Sequence, residues 1–157
     1  IKLDLYGLVD QKIRDHIEEC HLETKVALHG NVTRKEIINI MSGADILLLC
    51  INKAINSAGR IPAKLFDYIA SGKPILALGN THGDVAEILN YTNTGRIFEY
   101  EDIEGVRAFI LKIINSEHME DSSKSTLLNP RIDEYSQIHQ TKKLASLLDQ
   151  LTKKQSS

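Results

Sequence analysis

The sequence predicts an α/β fold: an open parallel sheet flanked by helices, with extra helices at the C-terminal end. Three observations predict it. Strand-like and helix-like segments alternate from residue 1 to about residue 115. Residues 46–51 and 75–78 are apolar without alternation, as strands covered by helices on both faces must be. Capping residues and helix breakers separate the segments.

Taken in order, residues 1–6 form a strand stopped at Gly7, and Asp10 caps a helix with Ile13, Ile17 and Cys20 on one stripe, ending near His21. Residues 26–29 form the second strand. Thr33 and Glu36 make a capping box, and Ile37, Ile38, Met41 and Ala44 the buried side of its helix. Residues 46–51 are a central strand, followed by an irregular polar stretch, 52–59. In residues 60–74 a helix start, a buried face and a helix stop follow one another. Pro62 suits the first helical position, Gly72 a left-handed C-terminus, and Pro74 cannot continue a helix. Leu65, Phe66, Ile69 and Ala70 are its predicted buried side, while Lys64 and Asp67 face a solvent cleft.

Residues 75–78 are the next strand and 79–83 a loop. Asp84 and Glu87 form a capping pair for a short helix with Val85, Ile88 and Leu89 inward. A turn at 93–95 leads to a strand at 96–99, and Asp102 caps a longer helix whose Ile103, Val106, Phe109, Ile110, Ile113 and Ile114 face the sheet. Residues 116–130 lose the hydrophobic period and read as a surface connection. Pro130 reopens a helical pattern, and Leu144, Leu147, Leu148 and Leu151 mark an amphipathic last helix with a frayed end at 153–157.

A length of 157 residues suits about one domain. With 42% hydrophobic and 25% charged residues the chain is globular and not disordered. A net charge of −2 and no run of Lys and Arg remove the electrostatic case for nucleic-acid binding. Cys20 and Cys50 have no metal-type spacing and are expected to be reduced, mostly buried thiols of a cytosolic protein. Six His at 16, 21, 29, 82, 118 and 139 include no HExxH motif and no i,i+4 pair, so no metal site is expected. No signal peptide or membrane-spanning run is present, which leaves only peripheral membrane contact. A start without Met, directly in a strand, suggests a piece of a longer chain.

In open parallel sheets ligands sit beyond the carboxyl ends of the strands, which nominates the loops 7–10, 29–33, 52–64, 79–84 and 93–95. At the helix start, the N–H groups of Ile61, Ala63, Lys64 and Leu65 point toward any anion held there, with Arg60 and Lys64 adding positive charge. This suits a pyrophosphate, and Asp67, a turn further on, suits ribose hydroxyls. A surface helix with an exposed Lys–Asp pair is the plainer reading of the same residues. Gly30, Asn31 and Val32 read either as a loop whose main chain meets a base edge or as an ordinary βα turn. His29 reads as structural, and His82 lies alone in a predicted cleft loop. Capping accounts for Asp84 and Glu87, so they are not taken as catalytic. No nucleophile–base pair, GxSxG, GxGxxG or Walker loop occurs.

The stretch Ile61-Pro-Ala-Lys-Leu-Phe-Asp-Tyr-Ile-Ala-Ser-Gly-Lys-Pro-Ile75 resembles the PSKLFEYLAAGKPI segment of the GT-B glycosyltransferases of the family-four (group 1) type, common in bacterial capsule and exopolysaccharide synthesis. The resemblance extends through Val26-Ala-Leu-His-Gly-Asn-Val, Ala44-Asp-Ile-Leu-Leu-Leu, Gly83-Asp-Val-Ala-Glu-Ile-Leu and Thr94-Gly, in the family's order, over most of residues 3–115. It implies a Rossmann-like C-terminal half of a GT-B fold: a donor-binding domain at 1–115, the connection at 116–130, and helices at 131–152 packing on it or on an absent N-terminal acceptor domain. It further implies a UDP-, GDP- or ADP-sugar donor, with Gly30, Asn31 and Val32 at the base. Arg60, Ile61, Pro62, Ala63 and Lys64 would lie at the phosphates and Asp67 at the ribose. A glycan or lipid-linked acceptor, a cytoplasmic location peripheral to the inner membrane face, and no metal or other cofactor follow from the same resemblance.

Two positions depart from the family pattern. Gly59 stands where many members carry a Glu that contacts the donor sugar, and Ala63 replaces a frequent Ser. The family's GR…KG phosphate-binding segment would precede residue 1, so this chain by itself should bind donor weakly and transfer nothing. Catalytic residues are not identifiable in it. A nucleotide-sugar epimerase shares the GT-B fold and is the nearest alternative, although its acidic and His catalytic residues are not found. A flavodoxin-like receiver or interaction domain is the alternative of another class, and Leu49-Cys50-Ile51 lacks the Asp a receiver needs.

Overall fold

The computed structural model describes residues 1–53, 58–116 and 129–154. The connection expected at 116–130 falls largely outside them, as do the middle of the 52–59 stretch and the last three residues. The described chain is built of parallel strands and helices in alternation and divides into two compact units, Ile1–Ile40 and Met41–Ser157. Each is taken by itself below.

In the first unit β1 (Leu3–Leu5) pairs in parallel with β2 (Val26–Leu28), Leu3 opposite Val26 and Leu5 opposite Leu28. Between them runs α1 (Gln11–Glu19), capped as expected by the Asp10 carboxylate, which accepts from the Lys12 N–H at 2.9 Å. Its expected stripe is less covered than the periodicity suggests: Ile13 is 49% exposed and Cys20 is exposed. The capping box at α2 (Arg34–Gly43) forms in both directions. The Thr33 N–H donates to Glu36 Oε2 at 2.7 Å, and the Glu36 N–H donates to Thr33 Oγ1 at 3.3 Å. Met41 is buried on this helix, but Ile38 is half exposed, because adjacent residues are turned about 100° apart and Ile38 falls off the Ile37–Met41 side.

The second unit holds a three-stranded parallel sheet in the order β3 (Leu47–Cys50), β4 (Ile75–Leu78), β5 (Gly95–Phe98). Within this unit the three strands pair as one parallel sheet, as β1 and β2 pair with one another in the first. Leu47, Ile75 and Gly95 are in register at the amino ends, and Cys50, Leu78 and Phe98 at the carboxyl ends. The helices α3 (Lys64–Ser71), α4 (Asp84–Thr92) and α5 (Ile103–Ser116) each follow one strand. The core joins Leu49, Ile51, Ile75, Ala77 and Ile97 of the sheet region to Leu65 and Ile69 of α3 and to Val85, Ala86, Ile88 and Leu89 of α4. Burying each large aliphatic side chain of this set contributes about 1.5–3 kcal/mol against leaving it exposed.

Several expectations shift by a residue or a face. On α3 the buried pair is Leu65 and Ile69, while Phe66 is 37% exposed and Ala70 is exposed. Helical geometry brings i and i+4 to one face, and Phe66 instead stacks on Tyr135 at 5.9 Å. Asp84 is not the cap of α4: Gly83 is, its carbonyl accepting from the Ala86 and Glu87 N–H groups, and both acids occupy the first turn, where the helix dipole favours negative charge. Asp102 does cap α5, accepting from the Gly105 N–H at 2.9 Å, yet Ile103 is 72% exposed because it lies at the first turn beyond the sheet.

After residue 128 come α6 (Pro130–Asp133) and α7 (Gln137–Lys154). The first is fastened to α4: Asn129 Nδ2 donates to the Thr92 carbonyl at 2.8 Å, Arg131 Nη1 to the Tyr91 carbonyl at 3.1 Å, and the Tyr91 hydroxyl to Glu134 at 2.7 Å. On α7 the stripe of Leu144, Leu147, Leu148 and Leu151 is exposed. No helix among the described residues is long and apolar enough to cross a membrane.

Candidate functional site

Parallel register brings the carboxyl ends of β3, β4 and β5 to one edge of the sheet in the second unit, and the loops leaving it are the place to look for a ligand. These loops are Ile51 onward, Gly79 to Gly83, and Glu99 to Asp102. The segment 93–95, nominated from sequence, sits at the opposite edge, because it precedes β5 and Gly95 is in register with the first residue of β4.

Side chains and main chain stitch the three loops together. The Tyr100 hydroxyl donates to the Ile51 carbonyl at 3.0 Å, and Lys53 pairs with Glu101 while its ammonium lies 5.4 Å over the Tyr100 ring. The Thr81 N–H and hydroxyl both donate to Glu99 Oε1, at 3.1 and 2.9 Å. The Asp84 N–H donates to the Ala58 carbonyl at 2.8 Å, tying the start of α4 to the chain that enters α3. Only glycine fits at 83: a Cβ there would stand 2.6 Å from the Ala58 oxygen.

The electrostatics follow these contacts. Hydrogen bonds from the Thr81 main chain and hydroxyl hold the Glu99 carboxyl below the ordinary Glu range. Lys53 does the same for Glu101, and Glu101 in turn raises the Lys53 ammonium. Partial burial pushes the Cys50 thiol up, and the charge of Lys64 pulls against that shift. Burial also raises the Tyr68 phenol, with Cys50 and Asp67 adding to it. Cys50, Lys64, Asp67 and Tyr68 therefore share one electrostatic neighbourhood at the carboxyl end of β3. Both cysteines are exposed residues, contrary to expectation, because each ends its element at a surface rather than in the core.

The chain enters α3 more tightly than Pro62 at the first helical position would require. Ala63 has helical dihedrals, Leu65 N–H donates to the Pro62 carbonyl at 3.0 Å and Phe66 N–H to the Ala63 carbonyl at 3.2 Å, so a 3₁₀-type turn precedes the regular helix. The Leu65 N–H is thus used inside the turn and is not open to a ligand. Among the described residues the N–H groups of Ile61, Ala63 and Lys64 donate to no carbonyl of the main chain. Arg60, Ile61, Ala63, Lys64 and Asp67 are exposed, and Pro62 is half-buried. At the other end Gly72 takes the left-handed conformation, φ 71°, and its N–H donates to the Ile69 carbonyl, as the sequence predicts.

Gly30, Asn31 and Val32 belong to the first unit. Gly7 N–H donates to the Gly30 carbonyl at 2.8 Å, joining the exits of β1 and β2, and Gly30 has φ +30° with open space where a Cβ would stand. Asn31 is exposed and Val32 is 37% exposed. His29 is partnered as a structural histidine should be: Nε2 lies 2.6 Å from Asp4 Oδ1, and Tyr6 stacks on its ring at 4.5 Å and 10°. His29, then Lys2, holds the Asp4 carboxyl below its ordinary value.

The loops nominated from sequence hold Lys53 and Thr81 but leave out Glu99, Tyr100 and Glu101. The signal was present in the order of elements: the loop after the 96–99 strand, not the one before it, leaves a carboxyl end. No group of three or more His, Cys, Asp or Glu placed to hold a metal occurs among the described residues.

The chain matches the family of glycosyl transferases, group 1, over residues 1–126. No curated protein matches it. Among solved structures it superposes on sucrose-phosphate synthase from Thermosynechococcus elongatus with a TM-score of 0.73 and 16% identity, covering 96% of this chain and 38% of that one. The GtfA/B complex gives 0.65 and 18%, over 96% and 29%. WaaG, a glycosyltransferase involved in lipopolysaccharide biosynthesis, gives 0.54 and 19%, over 89% and 34%. These likenesses are of fold, and the chain spans little more than a third of those chains at most.

Proposed function

The chain belongs to the group 1 glycosyl transferases, and from that premise we propose that it is the donor-binding part of an enzyme moving a sugar from a nucleoside-diphosphate sugar to a glycan or lipid-linked acceptor. The observation that carries this reading is the start of α3 at the carboxyl edge of the sheet, where main-chain N–H groups with no main-chain acceptor among the described residues stand beside Arg60 and Lys64. That is the chemistry a pyrophosphate requires, and it stabilises the nucleoside diphosphate as it departs. In this reading Ile61, Pro62 and Ala63 line the phosphates with their main chain, and Asp67 accepts from the ribose hydroxyls. Work in surface polysaccharide synthesis, in the cytoplasm and at the inner face of the membrane when the acceptor is lipid-linked, belongs to the same proposal. Family membership favours transfer over the epimerase and receiver alternatives.

Amide spectra of the chain titrated with UDP, GDP and ADP test it. Shifts concentrated at residues 60–67 with at least one of the three are expected. Unchanged spectra there with all three sink the proposed site.

A further inference from the structure

The loop between β4 and α4 carries a histidine whose surroundings do more than fill space. His82 is exposed, and its main-chain N–H is fixed by Asn80 Oδ1 at 2.8 Å. Its ring Nδ1 lies 3.1 Å from Thr81 Oγ1. A threonine hydroxyl has one proton, and here that proton goes to Glu99 Oε1 at 2.9 Å, a carboxylate that also accepts the Thr81 N–H. Toward His82, then, Thr81 Oγ1 can only accept, so the proton of the neutral imidazole must sit on Nδ1. Nε2 is left with a lone pair and no partner among the described residues.

We propose that Glu99 and Thr81 are positioning residues that hold His82 in the Nδ1–H tautomer, so that Nε2 accepts a hydrogen bond from a hydroxyl of the donor's sugar. This rests on the glycosyl-transfer reading above. His82 leaves the β4 carboxyl end on the same loop whose other end is tied to Ala58, just before Arg60 and Lys64. A pyrophosphate at the α3 start therefore leaves its attached sugar within the loops of this edge. An acceptor fixed in place distinguishes a sugar hydroxyl from a charged phosphate oxygen, which has no proton to give it.

Two measurements on the 157-residue chain test the proposal. Long-range proton–nitrogen spectra of the His rings should show the Nδ1–H form for His82 in the native chain and its loss in Thr81→Val, which keeps the side chain's shape and the main-chain bond to Glu99. An Nε2–H imidazole in the native chain overturns the proposal, since the relay would not exist. Binding of UDP, GDP and ADP is then compared with binding of UDP-glucose, UDP-galactose, GDP-mannose and ADP-glucose. His82→Ala, an exposed change, should weaken the preferred nucleotide sugar about five- to tenfold and leave its free nucleoside diphosphate unchanged. Equal affinities of His82→Ala and the native chain across the whole panel overturn this assignment while leaving the donor site intact. Equal losses for sugar and free nucleotide overturn it too, making His82 a phosphate ligand. If the native chain binds no nucleoside diphosphate or nucleotide sugar, both this inference and the donor-binding proposal fall.

Discussion

Lys64 carries the most testable chemistry at the scale of one residue. Its charge is felt by Cys50, and it stands at the first regular residue of α3, next to N–H groups with no main-chain acceptor among the described residues. Lys64→Ala should weaken nucleoside diphosphate binding about tenfold, or about 1.4 kcal/mol, with the thermal midpoint little changed, because the side chain is exposed. Calorimetric titration with the best-bound nucleotide measures the first and a thermal scan the second. That Lys64 stands at a helix start was legible in the sequence, because a charge following Pro62 must fall near one. The neighbours that give it context were not. Cys50 and Tyr68 come from different elements, and nothing local in either stretch says that they meet.

At the scale of the element, α3 is held by Leu65 and Ile69 and by its ends. Leu65 is fully buried, so Leu65→Ala should cost about 2–5 kcal/mol in urea unfolding, the lost transfer free energy plus a cavity the sheet cannot close. Phe66→Ala, partly exposed beside Tyr135, should cost less, and that ordering separates the observed face from the one periodicity suggested. The stretch 58–60 is held by the start of α4. Gly83→Ala must push a Cβ against the Ala58 oxygen, so it should cost about 1–3 kcal/mol and shift the amides of residues 58–60. Unchanged amides there would show that the two segments are not coupled. Helix ends were legible in the sequence because a cap is a local contract between residues three or four apart. The Thr33–Glu36 box and the Gly72 stop are cases of it. The cap of α4 was misassigned by one residue because Gly83 and Asp84 are both good cap residues, and only the contact with Ala58 selects between them.

Over the whole molecule the titrating contacts share one sign. Asp4 and Glu36 in the first unit and Glu99 and Glu101 in the second all have carboxyls held below their ordinary values of 3.8 and 4.5 by partners in the folded chain. A depressed folded value stabilises above the unfolded one and is lost as pH falls through the folded one. Stability should accordingly be level from pH 7 down to about pH 5 and decline below about pH 4.5, as these carboxylates begin to protonate. Urea midpoints across that range check it, and Glu99→Gln should flatten part of the decline in the second unit. Constant midpoints down to pH 3 would show that these contacts contribute nothing.

By itself the sequence determined the succession of strands and helices, the two-sided burial of β4, the Asp10, Thr33 and Asp102 caps, the Gly72 stop and the family resemblance that the comparison bears out. All are written in residues close together in the chain, or in apolar runs whose meaning does not depend on their neighbours. Tertiary structure decided the register of the strands within each unit, that the carboxyl edge of β5 offers Glu99 to Glu101, and that Phe66 and Ile38 look outward. It also decided that Thr81 stands between Glu99 and His82. Strand register and the pairing of side chains from distant loops follow from packing in three dimensions, and no local spacing encodes which of two plausible faces or neighbours the packed chain selects.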